Sequence, residues 1–344
     1  MKTRVVTADA LEEAGQIIRD GGLVAFPTET VYGLGADALN SEAAARIYHA
    51  KGRPSDNPLI VHIAEIEQTE RIARNITKKA RDIMEAFWPG PLTVILHKKE
   101  IVPDGTTGGL PTVAVRMPSH PVARELIRRS GRLIAAPSAN LSGRPSPTTA
   151  AHVLEDMDGR IPMILDGGSV GIGIESTIVD MTGEIPVILR PGYITREMLE
   201  EVAGEVEIDP AVAGRTMQKD VVAKAPGMKY KHYAPKGQLV LVEGSAEKVI
   251  QKINEMAKEK VLQGYRVGVI ATEETIDRYC TEIRKSIGSR KNPDSVAAGL
   301  YRVLRECDEL SLDYIYSESF FEEGLGNAIM NRMLKAAGYH LITL

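Results

Sequence analysis

The sequence predicts an α/β protein of two domains: an N-terminal mixed sheet with helices interleaved, and a smaller C-terminal domain on a parallel, Rossmann-like sheet. Three observations lead there. The chain has 344 residues, a length that suggests two domains. Up to about residue 205, short apolar runs of strand length alternate irregularly with helical-period stretches, which points to a mixed sheet. From residue 237 onward a βα pattern repeats, the signature of parallel strands joined by helical crossovers. The predicted boundaries are 1–205, a connector over 206–236, and 237–344.

The elements follow in order. Val5-Val6 opens as a strand. Leu11, Ala14, Ile17 and Ile18 recur at helical spacing until Asp20-Gly21-Gly22 stops them. Residues 23–26 form a strand that ends at Pro27, which has no backbone donor. The polar run Thr28-Glu29-Thr30 leads to Gly33-Leu34-Gly35, read as a glycine-rich turn. A helix runs from Ser41 to Lys51, with Gly52 as its stop. Two prolines, Pro54 and Pro58, pin the next loop, and residues 59–63 form a strand carrying His62. Residues 65–88 read as loop and helix, and Pro89-Gly90-Pro91 as a break. Residues 92–97 and 113–117 are strands; 102–109 between them reads as a mobile loop from its composition. Residues 121–130 are a helix, and 133–136, 163–166, 176–180 and 186–190 are further strands. In the last third, 239–242, 267–271 and 314–317 are strands, and 246–262, 294–307 and 327–337 helices.

Composition narrows the function classes. The chain is 43% hydrophobic and 26% charged, with a net charge of −4, an ordinary globular make-up that does not suit a general nucleic-acid binder. The charge is uneven: residues 1–205 carry 22 basic against 27 acidic side chains, the connector 6 against 3, and residues 237–344 carry 14 against 16. The basic excess lies in the connector, which also holds Tyr230, His232 and Tyr233. A solvated tether and a segment that touches a ligand are both open readings of it. Cys280 and Cys307 have no metal-ligand spacing and read as reduced thiols. No apolar run approaches membrane-spanning length, and the N-terminus has no signal-like apolar region, so a cytoplasmic protein is expected.

Several residues could carry chemistry. Gly33-Leu34-Gly35-Ala36-Asp37-Ala38 fits G-x-G-x-x-A, but Thr28–Tyr32 separates it from the preceding strand and the next strand ends in His62-Ile63, so NAD binding is rejected. Lys51 and Arg53 either complement a helix C-terminus or clamp a phosphate, Lys as a point charge and Arg as a fork; Asn57 adds an amide to their loop. Ser138 and Asn140 follow a strand and are either turn formers or ligand contacts. Alternation places Thr112, Ala114 and Arg116 on one sheet face, where the arginine needs a partner: an internal carboxylate or a bound one. The glycine-rich stretch 167–173 before Ser176 reads equally as an anion nest or a flexible hairpin. No Ser/His/Asp triad, cysteine nucleophile or zinc cluster emerges.

PTETVYGLG (residues 27–35), the K-x-R element Lys51-Gly52-Arg53, SDNPLIVHI (55–63) and Ser138-Ala139-Asn140 in APSANLSG agree in order and spacing with one family. The chain resembles the YrdC/Sua5 threonylcarbamoyl-AMP synthases, in the two-domain Sua5 form. The resemblance extends through the Pro-Gly-Met connector and the C-terminal half. It implies a twisted N-terminal sheet with a concave site, and the reaction of L-threonine, bicarbonate and ATP to threonylcarbamoyl-AMP and pyrophosphate. It further implies that the product serves t6A formation at position 37 of tRNAs reading codons that begin with A, through a separate tRNA threonylcarbamoyl transferase system. By the same resemblance Lys51 and Arg53 are the catalytic pair at the ATP phosphates. Asn57, Thr112, Ser138, Asn140, Ser146 and Arg190 complete the ATP site; the connector's basic charge, tyrosines and histidine separately suggest that it closes over that site with Tyr230 or His232 nearest the ligands. Thr30, His62, Arg116, Ala136 (through its backbone) and Ser176 surround threonine. Mg²⁺ is expected with ATP, with no organic cofactor and no protein metal cage. Two other classes compete: an RNA- or ribosome-associated binding module, which the net charge and few aromatics count against, and a carbamoyl-transfer relative of hydrogenase maturation factors, whose acylphosphatase and zinc-finger segments are not visible.

Overall fold

The computed structural model describes residues 2–213, 225–226, 232–320 and 323–344. These divide into two compact units: 2–142, 146–213 and 225–226 in the first, 143–145, 232–320 and 323–344 in the second.

In the first unit the chain runs β1 (Arg4–Val6), α1 (Leu11–Arg19), β2 (Val24–Phe26), β3 (Gly33–Asp37), α2 (Ser41–Lys51), β4 (Ile60–His62), α3 (Thr69–Ile72), β5 (Ala73–Arg74), α4 (Lys78–Phe87), β6 (Leu92–Lys98), α5 (Asp104–Thr107), β7 (Thr112–Arg116) and α6 (Pro121–Ser130). It continues through β8 (Ile134–Ala135), α7 (Ala150–Met157), β9 (Met163–Leu165), β10 (Thr177–Asp180), β11 (Val187–Arg190), α8 (Arg196–Ala203), β12 (Glu207–Ile208) and α9 (Pro210–Ala213). The strands make one mixed sheet in the order β1-β9-β2-β3-β8-β4-β7-β6-β10-β11-β12, with β5 added beside β6. The mixed α/β class predicted from the sequence is what forms.

Local chemistry sets the element ends. Asn40 caps α2, its side-chain oxygen accepting from the N–H groups of Glu42 (3.0 Å) and Ala43 (3.2 Å). Gly52 ends α2 at φ +59°, where a side chain would be strained. Trp88, the chain's single tryptophan, is buried in the main core and donates to the Leu92 carbonyl at 2.7 Å.

Three expectations need correction. Gly33 and Gly35 are not a turn: both lie inside β3, antiparallel to β2 and β8. Their role is close packing, since a Cβ on Gly35 would lie 2.8 Å from both Ile134 Cγ2 and Phe26 Cε1. The stretch 102–109 is not a mobile loop. It folds into α5, with Thr106 and Thr107 buried, the Thr106 hydroxyl donating to the Ala38 carbonyl at 2.7 Å and the Thr106 carbonyl accepting from Leu59 N–H. The stretch 167–173 is not the tip of a hairpin, because β9 pairs with β1 and β2 while β10 pairs with β6 and β11.

The second unit comprises β13 (Gln238–Glu243), α10 (Ala246–Leu262), β14 (Val267–Ala271), β15 (Ile283–Ser286), α11 (Pro293–Glu309), β16 (Tyr314–Glu318), α12 (Leu325–Ala336) and β17 (Leu341–Thr343). All its strand pairs are parallel, in the order β15-β14-β16-β13-β17, as the repeated βα pattern predicted. Two strands were not foreseen. β15 reads IRKS, with no apolar alternation, and β17 is three residues at the edge. Cys280 is exposed and Cys307 buried, both as free thiols.

Candidate active site

One row of side chains crosses the middle of the first unit's sheet. His62 on β4 stands opposite Arg116 on β7, and Arg116 opposite Thr93 on β6. Register partners share a face of a pleated sheet, so these three polar residues lie side by side. The next row, Ile60, Ala114 and Ile95, is apolar and packs with Ile178, Leu189 and Ala225. Thr112 lies two residues before Ala114 on β7, opposite His97. The predicted placement of Thr112, Ala114 and Arg116 on one face is therefore correct.

Each polar group in the row is tied down. Arg116 donates from Nη1 to Thr30 Oγ1 at 2.9 Å and pairs through Nη2 with Glu29 Oε1 at 2.6 Å. Of the two readings of Arg116, the internal carboxylate is thus present. Among the described residues the buried Arg116 Nε has no hydrogen-bond partner. His62 is buried, and its Nδ1 lies 3.1 Å from the Ile60 carbonyl, to which it donates. Burial first, then the nearby Arg116 charge, push its pKa down to about 3. The ring is neutral. Ala136 follows β8, and its N–H donates to the Ile60 carbonyl at 2.8 Å. Ser176, fully buried, shares a 2.8 Å hydroxyl contact with Thr93. Arg190 grips Ser176 twice, Nε to its carbonyl at 3.0 Å and Nη2 to its Oγ at 3.1 Å. The five residues expected around threonine therefore lie on neighbouring strands or on loops bonded to them.

The residues expected around ATP form a second, linked group. Lys51 at the end of α2 is 2% exposed. Its Nζ reaches the Ser138 carbonyl, the Asn140 carbonyl at 2.5 Å and Asn140 Oδ1 at 3.5 Å. Ser138 Oγ donates to Asn140 Oδ1 at 2.5 Å. Lys51 is thus a clamp on the S-x-N loop, a role that sequence reasoning did not assign. Arg53 Nη2 lies 3.4 Å from the Asn57 carbonyl and 3.3 Å from that of Pro58. Asn57 is 1% exposed, and among the described residues neither side-chain amide atom has a partner. A buried amide without partners costs free energy. Ser146 Oγ donates to Glu175 Oε1 at 2.5 Å.

The two groups are stitched through backbone: Leu34 N–H to the Pro137 carbonyl (2.8 Å), Ala139 N–H to Tyr32 (2.8 Å) and Gly173 N–H to Thr30 (3.1 Å). Three site residues escaped the sequence reading: Glu29, Thr93 and Glu175. Thr93 had a signal, as the polar position that alternates with Leu92 and Val94. Tyr230 lies outside the described residues, and His232 belongs to the second unit, its ring 5.5 Å from that of Tyr233. In the first unit the connector contributes Ala225, packed on the apolar row, and the Pro226 carbonyl, 3.4 Å from Arg190 Nη1. Among the described residues no cluster of three or more His, Cys, Asp or Glu could hold a metal, and no helix is long and apolar enough to cross a membrane.

Sequence and fold comparisons match both parts of the chain. A family model for the Sua5, YciO and YrdC proteins, described as "Telomere recombination", matches residues 16–192, and one described as "Threonylcarbamoyl-AMP synthase, C-terminal domain" matches 194–338. The threonylcarbamoyl-AMP synthase of Bacillus subtilis is 51% identical, over 96% of this chain and 94% of its own length. That of Pyrococcus abyssi is 50% identical with the same coverage. The crystal structure of P. abyssi Sua5 complexed with L-threonine superposes with a TM-score of 0.93 at 48% identity, covering 99% of this chain and 100% of the other. With both parts of its length matched in order, the chain belongs to the Sua5 branch of the YrdC/Sua5 family.

Proposed function

We propose that this protein is a threonylcarbamoyl-AMP synthase that converts L-threonine, bicarbonate and ATP to threonylcarbamoyladenylate and pyrophosphate. The observation that carries the reading is the pairing of two incomplete polar sites in one unit. The Arg116 guanidinium, the Thr30 and Ser176 hydroxyls and the neutral His62 make up one of them, and the buried Asn57 amide, Arg53 and the S-x-N side chains the other. The first has the groups an amino acid needs, a cation for its carboxylate with hydroxyl and imidazole for its side chain. The second has the amide, the Arg53 guanidinium and the S-x-N hydroxyls that suit a nucleotide.

The chemistry requires positioning more than a nucleophilic side chain. Threonine's amine adds to CO2 derived from bicarbonate and gives a carbamate. A carbamate oxygen then attacks the α-phosphorus of ATP as the bond to the β-phosphate oxygen breaks, releasing pyrophosphate. Arg116, Thr30, His62 and Ser176 hold threonine, with the Ala136 backbone beside them. Arg53 and Asn57 hold the phosphates, together with the loop that Lys51 fixes, and their charge is strongest where water is excluded. Thr112, Ser138, Asn140, Ser146 and Arg190 are assigned to the nucleotide. Mg²⁺ suits this donor set of hydroxyls and amides as an ion carried mainly by phosphate oxygens and water; bound there it would neutralise charge on the leaving pyrophosphate. The product is assigned to t6A formation, handed to a separate tRNA threonylcarbamoyl transferase system.

The test is pyrophosphate release from ATP by the full chain, with and without L-threonine and bicarbonate. Release that depends on both is expected. Release indifferent to threonine overturns the reading.

A further inference from the structure

Glu29 is paired to Arg116, the residue assigned to the threonine carboxylate, and has no assigned role itself. Its Oε1 pairs with Arg116 Nη2 at 2.6 Å, and its Oε2 accepts from Ser119 N–H at 3.2 Å. The Arg116 and Glu29 side chains are only 5% and 13% exposed. The arrangement does two things. It fixes the guanidinium from two sides, Glu29 at Nη2 and Thr30 at Nη1, and Nε is buried without a hydrogen bond among the described residues. It also sets the local charge. Arg116 and Glu29 cancel, and His62 is held neutral with Nδ1 donating to Ile60.

A buried site tolerates charge only when it is met by its opposite. A pocket already balanced favours a guest that is itself balanced. A free amino acid near neutral pH is such a guest, with one carboxylate and one ammonium. The hydroxy acid of the same shape without the amine brings an uncompensated negative charge. The guest carboxylate has the Arg116 guanidinium as its cation; its ammonium needs an anion, and Glu29 is the carboxylate paired into this row.

We propose that Glu29 is a specificity-determining residue of the threonine site, which makes the pocket select an α-amino acid zwitterion over the corresponding monoanionic acid. The inference rests on the threonine reading above. Its test is calorimetric titration of the full chain with L-threonine and with (R)-3-hydroxybutanoate, which is threonine without its α-amino group. The wild-type chain is expected to bind threonine at least tenfold more tightly. In Glu29→Gln the cluster gains one net positive charge. Threonine should then weaken at least tenfold while 3-hydroxybutanoate holds or tightens, so that the preference collapses. Glu29→Asp, which keeps the charge, should keep the preference even where both affinities fall. The comparison is a ratio within one preparation, so a reduced folded fraction does not disturb it. Equal weakening of both ligands in Glu29→Gln, with the preference intact, overturns the proposal and leaves Glu29 as a brace for Arg116. A wild-type chain that binds neither ligand overturns the threonine reading itself, and this inference with it.

Discussion

Replacing Lys51 by Met keeps the length of the side chain and removes its charge. In the folded chain that charge is not in water: Nζ is held by the carbonyls of Ser138 and Asn140, with Asn140 Oδ1 at 3.5 Å. Hydrogen bonds to a charged group contribute roughly 1.5–3 kcal/mol each, and a buried acceptor left unmade costs about 1–3 kcal/mol. Two carbonyls lose their donor in Lys51→Met. Met partly offsets this by avoiding burial of a charge, so the net loss is about 3 kcal/mol. That is a large share of a typical folding free energy of about 5–15 kcal/mol. Urea unfolding followed by tryptophan fluorescence measures it cleanly, because Trp88 is the chain's single tryptophan and sits in the core of the first unit. The midpoint should fall with an unchanged slope, and the KM for ATP should rise because the S-x-N loop is no longer held. An unchanged midpoint together with a raised KM would refute the reasoning, since Lys51 would then spend its charge on the ligand alone.

Other outcomes follow from single residues. Asn57→Leu should leave the unfolding midpoint unchanged or higher, because it removes an amide buried without partners, while raising the KM for ATP at least tenfold; an unchanged KM places Asn57 outside the nucleotide site. His62 is neutral in the folded chain down to about pH 3, whereas in the unfolded chain it titrates near its ordinary 6.5. Between those values the unfolded chain binds the extra proton, so this group lowers stability as pH falls below about 6.5 and contributes nothing above it. In His62→Gln the stability difference between pH 7 and pH 5 should shrink by about 2 kcal/mol; the same pH dependence in both chains would contradict a buried neutral imidazole. Ser176→Ala, in which Thr93 and Arg190 lose a shared partner, should reduce discrimination of threonine from valine, because an apolar pocket separates near-isosteres poorly. Unchanged discrimination and affinity in competition binding would remove Ser176 from the pocket.

What the sequence made legible were features with a period or a fixed neighbour. The end of α2 followed from Gly52, the glycine that stops it, and α6 was read over the residues it occupies, 121–130. The alternation in β7 put Thr112, Ala114 and Arg116 on one face and required a partner for the arginine. The identity of that partner was not legible. Glu29 and Arg116 are 87 residues apart, and no local pattern links them. The same holds for Lys51, whose carbonyl partners lie 87 and 89 residues away. Gly33 and Gly35 misled because glycine serves both turns and tight packing, and only the position of Phe26 against β3 distinguishes the two. The stretch 102–109 misled because its glycines and threonines have turn composition, yet Thr106 gains buried hydrogen bonds as a helical turn. β15 lacks a core-facing alternation and was visible only through its pairing with β14.

The central claim is that the two polar groups of the first unit bring threonine, a bicarbonate carbon and the adenylate of ATP together in one product. Mass spectrometry of the full chain incubated with ATP, L-threonine and ¹³C-bicarbonate tests it most directly. The account predicts an adenylate containing threonine and one labelled carbon, formed together with pyrophosphate and lost in Arg116→Ala. An adenylate without the labelled carbon, or none while ATP is still consumed, would contradict it.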